Sequence, residues 1–528
     1  MAHSLSISTG PRLQRRAAWS FGAGLQALAV LALIVGLVLR FLRFDNPPFD
    51  AHSFRQCQTL FTIDDFYWNG IDFFYPKTNY VGNPGVFVLE APVFQAIAAA
   101  LYHVFGPHIE VVRALNILCG VGTTAVLYWI TARLLDRRTA LLATLIYWLA
   151  SLNILFQRST LLDPMAVLFA LASFHALIVV LRPHPEDESL RCPRTLARFA
   201  GFALATCLVA VMKALYLWPS VLLLGWEFAR RRFRFEPRIA LATGVFFVSG
   251  ILFLGWNYHC RVANQNGYYH DLKPTSLLGL GKLIDPMFYW QMKARPGEWL
   301  GPIGMVLYPV GLWAVWKRRD ETEKASTVWL LALIPPSYLF VFPNINLPHN
   351  YYQLIITPFL AIVAAMGLGW LASLPVFSSA ETEAPRSALL GAGLVALILA
   401  SPFTYLVWKN FSKATPEVLA FQELCARCLQ PRSIGIIFVS EKLNPYHIVD
   451  YPLPEFLYGA KLQGFGRPVK DTEQARRFYQ ELLPYCRDLR YVVFYGISPG
   501  WFEAENARIV KRDDGHQFYA FELKPPAQ

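Results

Sequence analysis

Apolar runs of roughly 17 to 25 residues recur from Ala17 to Trp408, and they limit the possible folds more than any other feature of the chain. Such a run matches a hydrocarbon core of about 30 Å, where backbone polar groups must be paired within the segment, so each run implies a helix. Composition agrees. Of 528 residues, 55% are hydrophobic and only 16% charged, with a mean hydropathy of +0.35, which excludes an ordinary water-soluble protein of this size. The first run, 17–41, follows Arg12, Arg15 and Arg16; it is too long for a signal-peptide core and has no small-residue cleavage site, so it reads as a retained span. From about residue 409 the composition becomes mixed and reads as a soluble α/β unit, with helices near 416–429 and 472–485 and strands near 433–439, 491–495 and 517–523.

The net charge of +12 does not mark a nucleic-acid surface, because the basic residues sit in short clusters between apolar runs. They read as topology signals. Clusters at Arg133/Arg137/Arg138, Arg230/Arg231/Arg232/Arg234 and Lys317/Arg318/Arg319 should all be cytoplasmic. Counting every run as a crossing puts all three outside. Removing 86–105, which Glu90, Pro92 and His103 interrupt, repairs the parity. Eleven crossings remain: 17–41, 111–132, 140–158, 164–181, 197–212, 214–229, 239–256, 301–316, 326–342, 351–371 and 387–408. The loops 42–85 and 257–300 and the tail from Lys409 then share the non-cytoplasmic face.

Polar residues gather on that face. The first outer loop holds Asp45, Asp50, His52, Arg55, Asp64, Asp65, Asp72 and Lys77 among many aromatics, which predicts short helices lying at the membrane interface. Its run Pro48-Phe49-Asp50-Ala51-His52-Ser53-Phe54-Arg55 puts an acid, an imidazole and a guanidinium at the mouth of a span, a set suited to acid/base work on an anionic substrate. Asp163 precedes Pro164, so it reads either as a helix cap or as a cavity-facing carboxylate. Lys213 reads first as a lysine snorkelling to the interface. His349, Tyr351 and Tyr352, with Asn344, Asn346 and Asn350, form a polar mouth fit for phosphate or sugar contacts. Asp64-Asp65 could bind a divalent cation, although paired exposed acids seldom do. For the cysteines, a disulfide from Cys425 or Cys428 to Cys486 and three free thiols both remain open.

In this order along the chain, Asp50, Glu90-Ala91-Pro92, Arg113, Leu134-Leu135-Asp136-Arg137-Arg138, Leu162-Asp163-Pro164, Met212-Lys213 and His349-Asn350-Tyr351-Tyr352 resemble the GT-C glycosyltransferases. The similarity is to the branch containing protein O-mannosyltransferases and the lipid A aminoarabinose transferase. It implies a polytopic helical membrane fold of about 11 transmembrane helices plus interfacial helices. A transmembrane glycosyltransferase domain would occupy 1–408, with its first outer loop and interfacial helices at 42–110, and a small extracytoplasmic α/β domain 409–528. It implies transfer of a sugar from a polyprenyl-phosphate carrier, drawn from the membrane lipid, to a hydroxyl of a glycolipid, glycan or protein, with inversion. Asp50 would accept the acceptor proton and Asp163 would line the same cavity. His52 is a third catalytic candidate, while Arg55, Lys77, Glu90, Lys213, His349, Tyr351 and Tyr352 would bind substrate. A bacterial inner membrane with the site facing the periplasm is the implied location, and no cofactor is expected.

Two positions depart from the family pattern. Ala51, not a second acid, follows Asp50, and Ala91 replaces a phosphate-holding lysine, leaving Arg55, Lys77 or Lys213 to supply that charge. The rival readings are a transporter or flippase for lipid-linked sugars and a non-catalytic assembly protein. A transporter predicts internal repeats and charged or broken helices near the midplane, whereas the ionisable residues here cluster at span ends.

Overall fold

The computed structural model describes residues 27, 30–183, 192–268, 279–317, 322–374, 416–443, 452–504, 507–513 and 515–523. The crossing expected at 387–408 lies outside the described residues. In chain order the helices are α1 (Val30–Phe41), α2 (Ser53–Asn69), α3 (Val93–Phe105), α4 (Ile109–Leu134), α5 (Arg137–Leu149), α6 (Ser151–Gln157), α7 (Asp163–Leu181), α8 (Pro193–Lys213), α9 (Trp218–Arg230) and α10 (Pro237–Ala263). There follow α11 (Pro286–Ala294), α12 (Pro296–Trp299), α13 (Gly301–Lys317), α14 (Thr322–Val341), α15 (Pro343–Asn346) and α16 (Thr357–Ala372). Local chemistry explains several starts. Asp136 accepts from the Arg138 and Thr139 backbone N–H groups, both at 2.9 Å, to cap α5. Proline opens α7, α8, α9 and α10, where the missing N–H costs nothing.

By length and composition α4, α7, α10 and the segment Asn350–Ala372 can each cross a bilayer, and α5 with α6, bent by 60°, forms a further candidate. The continuous helical stretch Pro193–Arg230 has 38 residues, about 57 Å as a single rod and nearly twice a hydrocarbon core. Side-chain contacts show that it folds back. Ser173 meets Thr206 at 2.8 Å and Asp163 meets Lys213 at 3.7 Å, so α8 runs antiparallel to α7. Glu227 of α9 then reaches Arg182 at the other end of α7. The chain therefore turns at Lys213, whose φ of −155° breaks the helix, and the stretch is a hairpin, as the separate crossings 197–212 and 214–229 require.

The bundle thus has two distinct ends. One carries Asp163, Lys213 and the start of α4, where Arg113 donates to the Phe44 and Asn46 carbonyls at 2.6 and 2.7 Å. The opposite end carries Arg133, Arg182, Arg230, Arg231 and Arg238, with Arg133 on the Arg182 carbonyl at 2.6 Å and Arg238 on the Val180 carbonyl at 3.0 Å. Helix α3 stays at the first end. It lies along α2, with the Tyr67 ring 4.7 Å from His103 and 5.8 Å from Tyr102, and it runs directly into α4. This arrangement accords with leaving 86–105 out of the crossings.

The C-terminal region builds a five-stranded sheet of β1 (Ile434–Ser440), β2 (Gln463–Val469), β3 (Leu489–Tyr495), β4 (Ala507–Asp513) and β5 (Phe518–Leu523), in the order β2-β1-β3-β5-β4. The first three strands are parallel and the last two antiparallel to their neighbours. Helices α17 (Pro416–Ala426), α18 (Pro454–Ala460) and α19 (Thr472–Leu482) complete it. Strands β2 and β4 and helix α18 go beyond the elements expected from sequence. Both strands are edges, where Gly464, Gly466 and Pro468 in β2 and the charged Arg508, Lys511, Arg512 and Asp513 in β4 mask the β pattern. Cys425 packs on one face of this sheet and Cys486 on the other, with Cys428 against the Cys425 face. All are free thiols, so the disulfide option closes.

This region does not stand apart from the first loop. One face of its core is completed by Phe49, Cys57, Tyr80, Val81 and Phe87. Residues 79–83 also cover the open edge of β2: the Gly464 N–H donates to the Asn79 carbonyl at 2.9 Å and the Gly82 N–H to the Gly464 carbonyl at 3.0 Å. Gly82 has φ +84°, and a Cβ there would stand 2.2 Å from the Tyr485 carbonyl oxygen.

Candidate active site

The turn before α2 sets the site. His52 is left-handed, with φ 57° and ψ 37°, a conformation that costs an L-residue about 1–2 kcal/mol and must be held by its surroundings. Gln56 does part of this, donating to the Asp50 carboxylate and, at 2.9 Å, to the Ala51 carbonyl. The second Asp50 oxygen meets Arg158 Nη1 at 3.2 Å, while Arg158 Nη2 donates to the Arg43 carbonyl at 3.1 Å. The Asp50 side chain keeps 10% of its surface exposed, against 1% for Arg158. It is held and still reachable.

A second group surrounds Lys213. Its ammonium stands 3.2 Å from Glu90, 3.7 Å from Asp163 and 4.2 Å from the centre of the Tyr352 ring. Glu90 also pairs with Arg55. Burial pushes the Glu90 carboxyl up, but the Arg55 and Lys213 charges outweigh burial and hold it at about 2. The Tyr216 hydroxyl donates to Asp163 at 2.7 Å, and its oxygen lies 3.1 Å from the Tyr351 carbonyl, tying α7 to the segment that opens α16. Two expectations change here. Asp163 makes no side-chain cap, because α7 begins at this residue and its carboxylate is taken up by Tyr216 and Lys213. Lys213 does not snorkel, since the buried Asp163 and the half-buried Glu90 compensate its desolvation better than an interface would; its side chain is 4% exposed.

The histidines form the third group. The His52 ring lies 4.9 Å from Tyr351 and 6.0 Å from His349, which stacks on Tyr351 at 5.1 Å. Asn350 donates to Glu298 at 2.9 Å, so its carbonyl oxygen faces His52 Nε2 at 2.7 Å and requires that nitrogen to carry the proton. The other nitrogen, Nδ1, is then the basic one. Burial lowers the pKa of His52. Burial above all, with the nearby Arg55 and Lys213 charges adding to it, pushes His349 down to about 3, so both rings are neutral near pH 7.

A small cleft opens between α2 and the 76–95 segment, bordered by Arg55, Gln58, Thr59, Glu90, Gln95 and Leu162. Asp50, His52, Arg55, Glu90, Asp163, Lys213, His349, Tyr351 and Tyr352 gather at this end of the bundle. Lys77 does not join them, because its ammonium faces Asp65 at 3.7 Å. Asp64 and Asp65 also diverge: Asp65 takes Lys77 and Asn69, while Asp64 faces the charges of Arg432 and Lys461. Sequence reasoning passed over Arg158, Gln56 and Tyr216. An arginine closing an apolar run offers one signal, since a charge there needs a partner; Gln56 and Tyr216 carry none.

Each acid of the site is matched by a cation, and among the described residues no three His, Cys, Asp or Glu side chains converge.

Residues 92–260, less than half of the chain, match the family model described as dolichyl-phosphate-mannose-protein mannosyltransferase. The structure is similar to that of ArnT from Cupriavidus metallidurans in the apo state, with TM-score 0.62 at 13% identity over 95% of this chain and 99% of that one. A second ArnT structure, bound to undecaprenyl phosphate, gives 0.60 at 13% identity over 94% and 99%. The archaeal oligosaccharyltransferase AglB from Archaeoglobus fulgidus, in complex with an inhibitory peptide and a dolichol-phosphate, gives 0.56 at 10% identity over 89% and 69%. No curated protein matches the sequence. The chain has the GT-C fold and is an integral membrane protein. Fold and family match together define its class as a membrane glycosyltransferase that draws on a lipid-linked sugar.

Proposed function

We propose that the protein transfers a sugar from a polyprenyl-phosphate carrier to a hydroxyl acceptor in one inverting displacement, at a site on the non-cytoplasmic face of a bacterial inner membrane. The observation that carries this reading is the gathering at one end of the bundle of Asp50, held by Arg158 and Gln56, and the Arg55–Glu90–Lys213–Asp163 chain of ion pairs, of which Arg55 and Glu90 line a cleft. The acceptor oxygen attacks the anomeric carbon and its proton passes to Asp50. The bond from that carbon to the carrier oxygen breaks, and the electron pair stays on the phosphate. Arg55 and Lys213 lie where charge on the leaving phosphate needs stabilising, and Glu90 and Asp163 orient them. His52 Nδ1 is a second basic atom, on the same turn as Asp50.

In this reading residues 1–408 form the transferase domain and 409–528 the extracytoplasmic domain. The cations are side chains, so EDTA leaves the rate unchanged; a rate restored only by added Mn²⁺ or Mg²⁺ counts against that point. The ionisable groups of the candidate site lie at one end of the bundle and not midway along it, which favours a transferase over a transporter. The test is donor consumption by the purified protein. Wild type releases sugar from a polyprenyl-phosphate donor, and Asp50→Asn remains folded but falls by about 10²–10⁴-fold. Full activity in that variant removes Asp50 from its role, and no donor consumption by wild type removes the reading.

A further inference from the structure

The C-terminal region touches the site through one buried carboxylate. Glu455, the second residue of α18, is 2% exposed, and its Oε1 accepts the Ser53 hydroxyl at 2.9 Å. Ser53 opens α2 and donates its own backbone N–H to the Asp50 carbonyl at 3.0 Å. His52, in its left-handed conformation, lies between them. Glu455 therefore clamps the last residue of the turn that carries Asp50 and His52, and its negative charge complements the N-terminus of the 17-residue α2. Gln56 and Arg158 hold the same turn from the membrane side, so the turn is gripped from two directions.

Helix α18 has little freedom to let go. The Asn79 side chain donates to the Pro454 carbonyl at 2.9 Å. Phe456 and Leu457, both fully buried, share a core with Phe49 and Cys57, which flank the turn. A buried carboxylate is a costly choice for packing alone, because an apolar residue would fill the space without a desolvation penalty. Its geometry suits the fixing of a strained turn.

We propose that Glu455 is a positioning residue for sugar transfer, holding the Asp50–His52 turn through Ser53, so that the C-terminal region is part of the catalytic unit. This rests on the transferase reading above. The test uses the full-length protein in lipid nanodiscs with a polyprenyl-phosphate sugar donor, measuring kcat, donor KM, thermal unfolding and affinity for sugar-free polyprenyl phosphate. Glu455→Ala lowers kcat by about 10- to 100-fold, the scale of a misplaced reacting group, with donor KM and carrier affinity close to wild type. Ser53→Ala does the same, and the double variant is no slower than the slower single one, because both remove one contact. Glu455→Gln, whose amide oxygen still accepts the Ser53 hydroxyl, restores most of the rate. If Glu455→Ala is not recovered folded, Ser53→Ala, which deletes only a hydroxyl, decides the question. Variants that unfold at lower temperature while keeping wild-type kcat overturn the proposal and leave the transferase reading intact. A wild type that consumes no donor overturns both.

Discussion

At the end of the bundle away from the cleft, Glu227 has no exposed surface and is gripped by Arg182 at 2.8 Å, Arg230 at 3.1 Å and Arg231 at 3.7 Å. At the cleft end, Glu90, Asp163 and Asp50 are held by Arg55, Lys213 and Arg158. The ingredients are alike: carboxylates inside a membrane bundle, each offset by a cation. Access and company differ. Asp50 and Glu90 keep 10% and 18% of their side chains exposed, Asp50 in the turn that carries His52 and Glu90 on the cleft, whereas Glu227 sits among helix ends and closes them. A buried ion pair therefore does not by itself mark a reaction centre. The proposed site differs in holding acids that keep some exposed surface.

Breaking the closed end has the largest expected effect on stability. Glu227→Gln leaves several arginines without their counter-charge and costs about 3–5 kcal/mol, read as a lower unfolding temperature in detergent, while kcat per folded molecule stays at the wild-type value. A matching loss of kcat would mean that the two ends are coupled. Lys213→Met at the other end should fall mainly on chemistry, slowing transfer by about 10²–10³-fold, as removal of a charge-stabilising donor does. An unchanged rate would place the phosphate-facing cation elsewhere.

The docking of the C-terminal region on the first loop is the next contrast to test. Gly82→Ala puts a Cβ against the Tyr485 carbonyl at a left-handed φ and should cost about 1–3 kcal/mol. Limited proteolysis should then release the C-terminal region sooner, and an unchanged digestion pattern would show that the edge contact contributes nothing. The smallest effect is a pH dependence. Burial raises Asp64 to about 7 against the opposing charges of Arg432 and Lys461. The folded state therefore holds the proton more tightly than the unfolded one, and its contribution is complete below about pH 4 and declines as pH rises to about 7. Asp64→Asn should flatten the unfolding temperature across that window relative to wild type, and identical pH profiles for the two proteins would assign the slope to other groups.

Much of the fold was legible along the chain because a bilayer imposes a length and an apolar composition on each segment that crosses it. The arginine clusters carried parity, and parity together with the interruptions at Glu90, Pro92 and His103 set 86–105 apart before its contacts with α2 were visible. The hairpin at Lys213 was readable as two short apolar runs, although its helical stretch is nearly continuous. In the soluble region β1, β3 and β5 announced themselves by β-branched and aromatic runs, while β2 and β4 did not, since edge strands are built from residues that discourage pairing.

Residue types at span ends, then, were determined by the sequence itself: acids, histidines and tyrosines where water meets lipid, and basic clusters at the other side. Only the tertiary structure decided which acid meets which cation. Asp50 and Arg158 are 108 positions apart, and Ser53 and Glu455 are 402; no local periodicity links them. Their pairing follows from packing. The bend between α5 and α6 turns Arg158 toward the first loop, and a core shared by Phe49, Cys57, Phe456 and Leu457 brings Glu455 to the start of α2. A charge pattern fixes which end of a span a residue occupies, but the cost of burying that charge is met only by whichever partner the fold delivers.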